Sequence, residues 1–168
     1  MENSNAELFD NINDIIEDFR VAMLTVIGVD NVIHACPMSV ACHEEETGNI
    51  YFATSIVNEK TTEIENNPHT AVTFQSSTQF VSLSGQSIVI NDRVMIRELF
   101  NPAWEAWFPE GPEQVDIRLI KFSPEKGEYW DLSGMNGLKF LWNAGKAIFK
   151  DEKMVASDNP DSHGKVDM

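Results

Sequence analysis

Residues 21–54 read VAMLTVIGVDNVIHACPMSVACHEEETGNIYFAT. This stretch contains short runs of apolar and β-branched residues separated by the turn residues Asp30-Asn31 and by an acidic turn near Gly48. The runs span residues 21–29, 32–42 and 50–54. Apolar runs of this length, bounded by turn residues, are typical of strands. The stretch therefore predicts a meander of three antiparallel strands.

The rest of the chain extends this pattern. Further strands are predicted at residues 70–75, 80–90, 117–123 and 127–132, with Pro124-Glu125-Lys126 as the turn between the last two. Gly85 interrupts the second of these strands, which indicates a bulge or a close approach of another backbone. Because a closed barrel leaves no exposed sheet edge, we predict a mainly β fold with a six- to seven-stranded antiparallel barrel.

Helical patterns flank and interrupt the predicted strands. A capping-box pattern at Ser4 and apolar residues at helical spacing predict an N-terminal helix over residues 5–19. Asp92 and Asn101 are positioned to cap two short helical segments before the last strands. We expect one domain over residues 1–155, with the barrel at 21–132 and a C-terminal helical segment at 138–150. Residues 156–168 are polar and are expected to form a disordered tail.

Charge and hydropathy exclude several classes of partner. Among 168 residues, 27 are acidic and 12 basic, which gives a formal net charge of -15. This charge repels polyanions, so we expect no nucleic-acid partner. No apolar run approaches the roughly 20 residues that span a bilayer, and the acidic N-terminus does not resemble a secretory signal. We therefore expect no membrane partner and a cytoplasmic location.

Common catalytic and metal motifs are missing from the sequence. The chain has no G-x-S-x-G, P-loop or H-E-x-x-H pattern, and its four histidines lack metal-ligand spacing. Cys36 and Cys42 lie six positions apart in one predicted strand, hence on the same face about 20 Å apart. They match neither a zinc site nor a redox pair. We predict no metal site.

Two neighbouring stretches stand out as a candidate site. The second strand contains His34-Ala35-Cys36-Pro37-Met38, and the third strand ends at Thr54 shortly before Asn58-Glu59-Lys60. Proline cannot donate a hydrogen bond to a sheet, so Pro37 is expected to mark an edge or a bulge. Such a gap exposes backbone groups that could meet the edge of a flat heterocycle.

These motifs carry a family resemblance over about residues 21–131. In order they are Met23-Leu24-Thr25, Cys36-Pro37-Met38, Phe52-Ala53-Thr54 with Lys60, Val81 to Gly85, Asn101-Pro102, Trp107 to Gly111 and Glu128 to Asp131. Taken together, they resemble the FMN-binding split barrels related to pyridoxamine 5'-phosphate oxidase, in particular the general stress protein branch. The resemblance implies a split barrel that forms a homodimer, with FMN sites at the subunit interface.

The resemblance also implies the site residues. The predicted cofactor-binding set is Cys36, Pro37, Met38, Phe52, Ala53, Thr54, Ser55, Asn58, Lys60 and Trp107. In this set Thr54, Asn58 and Lys60 would hold the flavin phosphate, because a hydroxyl, an amide and an ammonium near a helix N-terminus all favour a dianion. Trp107 would cover the flavin from the partner subunit. The chain departs from the family pattern at Cys36, where arginine usually precedes the Pro-Met pair and could grip phosphate.

Several functions follow from this prediction. The first is an FMN-dependent oxidoreductase acting on a small-molecule substrate or a nicotinamide donor, with FAD and haem ranking behind FMN as cofactors. The alternative is a non-enzymatic flavin or haem binding module in a stress response. A third is an apo barrel that serves structurally as a dimer. The sequence names no catalytic acid or base.

Overall fold

A computed structural model describes residues 5–133 and 163–168, which form a mainly β structure. The helices are α1 (Asn5–Glu17), α2 (Glu59–Asn66) and α3 (Arg93–Leu99), and two 3-10 turns follow at Pro102–Ala106 and Gly111–Glu113. The strands are β1 (Val21–Ile27), β2 (Ile33–Glu44), β3 (Asn49–Ser55), β4 (His69–Gln75), β5 (Gln79–Ile90), β6 (Ile117–Asp131) and β7 (His163–Asp167). None of the helices in these ranges is long and apolar enough to cross a bilayer.

The strands form one antiparallel sheet that closes on itself. Their order is β3-β2-β1-β4-β5-β6-β7, and β3 also pairs with β6. On the side of β6 away from β5, residues 117–122 pair with β3 and residues 126–130 pair with β7. Strands β1 to β6 therefore form the predicted six-stranded barrel, and β7 adds a seventh strand outside the ring.

The predicted turn at Pro124-Glu125-Lys126 is wrong, because β6 runs through it as one strand. The pairing of β5 with β6 shifts its register between Ser84 and Gly85, opposite Pro124. This bulge allows β6 to continue past the proline. A Cβ added to Gly85 would overlap the Ser123 carbonyl oxygen and lie 2.8 Å from Pro124 Cα. The bulge and close backbone approach predicted from Gly85 are thus confirmed.

A second bulge, between Val40 and Cys42, separates the two cysteines. Cys36 packs against the apolar interior of the barrel, whereas Cys42 pairs with Tyr51, the neighbour of the inward-facing Phe52. The bulge reverses the side-chain alternation, so the two thiols lie on opposite faces rather than on one face as predicted. Both are free.

Two hydrophobic clusters share the barrel wall. The interior cluster fills the barrel, and its fully buried members include Leu24, Ile50, Phe52, Val72 and Phe122. The outer cluster lies on the outside of β6, under α3 and the turn at Pro102–Ala106, and consists of Ile96, Trp104, Phe108, Ile117 and Leu119. Alternating residues of β6 serve one cluster or the other, because successive side chains of a strand point to opposite faces.

The chain termini differ from the prediction at two points. Helix α1 ends at Glu17 rather than residue 19. Residues 163–167, expected within a disordered tail, form β7 against β6. Val166 is buried, and Gly164 packs closely against α1, where an added Cβ would lie 2.5 Å from Leu8 Cδ2. The predicted helical segment at 138–150 lies outside the described residues.

Candidate functional site

A cavity of about 340 Å³ opens at the end of β3, beside β2, the N-terminus of α2 and the turn at Pro102–Ala106. Its lining residues are Pro37, Met38, Ser39, Ala53, Thr54, Ser55, Asn58, Lys60, Trp104, Trp107 and Phe108. The sequence predicted most of these as cofactor-binding residues. They come from four separate segments, which only the fold brings together.

The cavity exists because β2 and β3 separate. Pairing between them begins at Val40 and Phe52 and continues to the hairpin turn, whereas residues 33–39 of β2 pair with β1 alone. Pro37 lies in this half-paired segment, opposite Met23, as expected for a residue that cannot donate to a sheet on both sides. The predicted edge position of Pro37 is therefore confirmed.

The turn from β3 into α2 sets the polar wall. Asn58 caps α2, since its Oδ1 accepts a hydrogen bond from the Lys60 backbone N–H at 3.2 Å. Thr61 Oγ1 donates to the Asn58 carbonyl at 2.6 Å and holds the turn in place. The N-terminal end of a helix carries a partial positive charge, so this wall favours an anion.

Two donors in the polar wall have no partner among the described residues. Thr54 is only 4% exposed, yet its hydroxyl forms no hydrogen bond within residues 5–133 and 163–168. Within the same ranges, no carboxylate lies within 4.0 Å of the Lys60 ammonium. The Thr54 hydroxyl is not one of the sealed-off polar atoms without a partner, so it is open to the cavity, and a cation in the same lining adds to the attraction for an acceptor. The chemistry of the polar wall therefore favours an anionic ligand.

Aromatic residues form the remaining part of the lining, the aromatic wall. Asn101 Oδ1 caps the 3-10 turn by accepting from the Ala103 backbone N–H at 3.0 Å, and this turn carries Trp104. Trp104 and Phe108 are buried in the outer cluster, whereas Trp107 is 68% exposed at the rim. Aromatic side chains and polar donors lining one cavity suit a ligand with a planar ring at one end and a charge at the other.

Not every predicted residue reaches the cavity. Neither Phe52, which is fully buried in the interior cluster, nor Cys36, which packs against that cluster, is among the described residues that line the cavity of a single chain. The sequence reasoning missed Ser39, Trp104 and Phe108. Ser39 follows Pro37 by two strand positions and hence shares its face, and Phe108 follows Trp104 by four positions; this periodicity could have identified them.

One further polar contact lies at the rim. Ser55 Oγ donates to Asp116 Oδ2 at 2.6 Å. This hydrogen bond, followed by one from Gln114, holds the pKa of the Asp116 carboxyl below its ordinary value. In the described ranges, no group of three or more His, Cys, Asp or Glu residues is placed to hold a metal ion.

Known protein families and solved structures include several that are similar to this chain. Residues 7–155 match the family described as Pyridoxamine 5'-phosphate oxidase like. The general stress protein 26 from Bacillus anthracis is 26% identical and superposes with a TM-score of 0.66, covering 73% of this chain and 93% of its own. The general stress FMN/FAD binding protein from Xanthomonas citri is also 26% identical, with a TM-score of 0.64 and coverage of 75% and 89%.

A curated relative is similar over part of its length. Protein bli-3 of Neurospora crassa is 26% identical in an alignment of length 102 that covers 55% of this chain. The aligned residues make up 49% of bli-3, so the chain spans about half the length of this relative. Since the family match covers most of the chain, from the first helix through the whole barrel, this protein belongs to the pyridoxamine 5'-phosphate oxidase like family.

Proposed function

We propose that the cavity binds FMN and that the protein is a flavoprotein. The observation that carries this proposal is the donor set of the polar wall: the Lys60 ammonium, the unpartnered Thr54 hydroxyl and the Asn58 amide at the start of α2. Trp104 and Phe108 line the same cavity. These donors suit a phosphate, and the aromatic wall suits a flavin ring. A relative that is 26% identical is described as an FMN/FAD binding protein.

The donor set fits flavin better than haem. Haem iron takes an axial ligand such as histidine, cysteine, tyrosine or methionine. Among the described residues that line the cavity, Met38 is the one residue of these types, and its side chain is buried in the interior cluster. Cys36, which replaces the usual family arginine, packs on the interior cluster instead. Phosphate binding in this chain would therefore depend on Lys60, Thr54 and the start of α2.

A second copy of the chain is proposed to complete the site. The cavity volume of about 340 Å³ lies at the low end of the roughly 300–1,000 Å³ typical of ligand sites, so a flavin would extend beyond one chain. The outer face of the β1–β2 pair beside it exposes large apolar side chains: Val21 is 50% exposed, Met23 39% and Ile33 70%. Met23 pairs directly with the cavity residue Pro37. Apolar patches of this kind mark protein contacts, and a homodimer would cover both features.

Bound flavin would supply hydride and electron transfer, with a nicotinamide or another small molecule as the donor. The chain itself would bind the phosphate, orient the ring and exclude water. One observation favours a binding module without turnover: Lys60 is the only titratable side chain among the described residues lining the cavity. Without an acid or base at the site, proton transfer would rest on solvent or substrate.

Flavin titration with a matched charge control tests the proposal. Lys60→Met is expected to weaken FMN binding about 10-fold or more, the scale of a charge-assisted hydrogen bond, and to leave riboflavin binding unchanged. Lys126→Met removes the same charge from an exposed site on β6 and is expected to change neither. Failure of the unmodified protein to bind FMN or riboflavin at high concentration refutes the proposal.

Two further measurements examine assembly and turnover. Light scattering is expected to give the mass of two chains, and Met23→Glu is expected to give one chain with weakened FMN binding. Val94→Glu, at a residue of α3 that is 62% exposed, is the matched control and keeps the dimer. Steady oxidation of NADH or NADPH by the loaded protein supports the oxidoreductase, whereas tight binding without turnover supports the module.

A further inference from the structure

Asp116 closes the rim of the cavity without lining it. Its Oδ2 accepts a hydrogen bond from the cavity residue Ser55 at 2.6 Å, and its Oδ1 accepts from Gln114 Nε2 at 2.7 Å. Its backbone carbonyl accepts from the Ile56 N–H at 2.8 Å. The start of β6 is thereby fixed to the end of β3, and the Asp116 carboxylate is held behind Ser55.

This arrangement determines where the Ser55 proton points. An ionised carboxylate can only accept, and the hydrogen bonds from Ser55 and Gln114 lower the Asp116 pKa, so the group is ionised at neutral pH. Ser55 has one hydroxyl proton, and it is donated to Asp116. The Val57 N–H lies 3.4 Å from Ser55 Oγ and also requires that oxygen to accept. Ser55 therefore presents a lone pair, and no proton, to the cavity.

A lone pair selects the ligand group that can lie beside it. A phosphate dianion has no proton to donate at neutral pH, and the Asp116 charge behind Ser55 disfavours it further. A hydroxyl of a polyol chain can donate to Ser55. Thr54, Asn58 and Lys60, by contrast, have donors available to the cavity, so phosphate belongs at their end.

We infer that Ser55 forms a subsite for a ligand hydroxyl, separate from the phosphate end of the cavity, and that Asp116 is the positioning residue that fixes Ser55 as its acceptor. This inference rests on the proposed flavin site, where the hydroxyl would belong to the ribityl chain. Asp116→Asn reverses the arrangement: the amide oxygen accepts from Gln114 and the amide N–H donates to Ser55. The Ser55 proton then turns toward the cavity, and a ligand hydroxyl pairs with it only by turning over to accept.

Titration with three flavins tests the inference. Riboflavin carries the hydroxyls without phosphate, FMN carries both, and lumiflavin carries neither. Ser55→Ala is expected to weaken riboflavin and FMN by the same factor, about 3- to 10-fold for one neutral hydrogen bond, and to leave lumiflavin unchanged. Asp116→Asn is expected to weaken riboflavin by a smaller factor, because the ligand hydroxyl can turn over and accept from Ser55, and also to leave lumiflavin unchanged. In the Ser55→Ala background, Asp116→Asn is expected to have no further effect. Ser55→Thr keeps the hydroxyl and is expected to restore binding.

Other outcomes of these titrations would overturn either the inference or the proposed function. Weakening of FMN alone assigns Ser55 to the phosphate and overturns the inference, as does equal weakening of lumiflavin, which indicates a general disturbance of the cavity. Unchanged binding of all three flavins in both variants also overturns it. If the unmodified protein binds neither riboflavin nor FMN, the proposed function itself has failed. Urea unfolding of each variant verifies that the fold is retained.

Discussion

The two hydrophobic clusters share the barrel wall but differ in how completely the surrounding elements enclose them. The interior cluster is surrounded by strands and α1, and residues such as Phe52 and Phe122 have no exposed surface. The outer cluster is covered by α3 and the 3-10 turn but remains open on one side, where Trp104 and Phe108 face the cavity. The closed cluster stabilises the fold, whereas the open one offers apolar surface to a ligand.

Phe52→Ala is expected to have the largest effect, because the closed interior cannot collapse around the lost ring. We expect the free energy of unfolding to fall by about 3–5 kcal/mol, measured by urea denaturation. Val57→Ala, at a residue 83% exposed, serves as the control and should change stability by less than about 0.5 kcal/mol. The milder Phe52→Leu should leave the FMN dissociation constant unchanged; a large loss of affinity there would place Phe52 at the site after all.

Trp104→Ala is expected to destabilise less, by about 2–3 kcal/mol, since water and neighbouring side chains can enter from the open side. It should also weaken FMN binding by removing part of the aromatic wall. Urea denaturation and fluorescence titration measure the two effects separately. A stability loss equal to that of Phe52→Ala would contradict the distinction between a closed and an open cluster.

Trp107→Ala tests the exposed rim of the cavity. The side chain is 68% exposed, so we expect a change in unfolding free energy below about 0.5 kcal/mol. Flavin bound to this variant should fluoresce more strongly, because a nearby indole quenches the ring. Val115→Ala, at a residue 81% exposed, controls for the loss of exposed apolar surface. Unchanged fluorescence would remove Trp107 from the flavin environment.

The smallest expected effect is the pH dependence contributed by Asp116. Its pKa is lowered in the folded protein by hydrogen bonds from Ser55 and Gln114 and by nearby Arg118. A lowered pKa contributes stability above the unfolded value, and this contribution is lost as pH falls through the folded value. We expect this contribution to the free energy of unfolding to be at most about 1 kcal/mol. As the pH is lowered, the unmodified protein should therefore lose stability more steeply than Asp116→Asn. Identical pH profiles would contradict it.

Local patterns predicted much of the barrel because each strand and cap is specified by neighbouring residues. The Asp92 side chain caps α3 through the Val94 and Met95 N–H groups, and Gly85 marks a bulge, as expected. The continuous β6 was missed because Pro124 looks like a turn residue. It is accommodated only because the opposing β5 shifts its register at the same point.

The candidate site was predicted in part. The positions of Thr54, Asn58 and Lys60 follow from the strand-to-helix turn, a feature of consecutive residues. The contact between Ser55 and Asp116 joins residues 61 positions apart, and no local pattern indicates it. Cys36 and Phe52 were placed near the cofactor by resemblance; both pack at the barrel interior, and their contact with a cofactor stays a prediction.

The sequence by itself determined the strand meander, the helix caps, the acidic charge and the polar turn that follows β3, since these depend on neighbouring residues. Only the tertiary structure decided that pairing between β2 and β3 stops at Val40, that Trp104 lines the resulting cavity and that Asp116 fixes the Ser55 proton. Those features arise where distant segments meet, and strand pairing, rather than local preference, sets the register that brings them together.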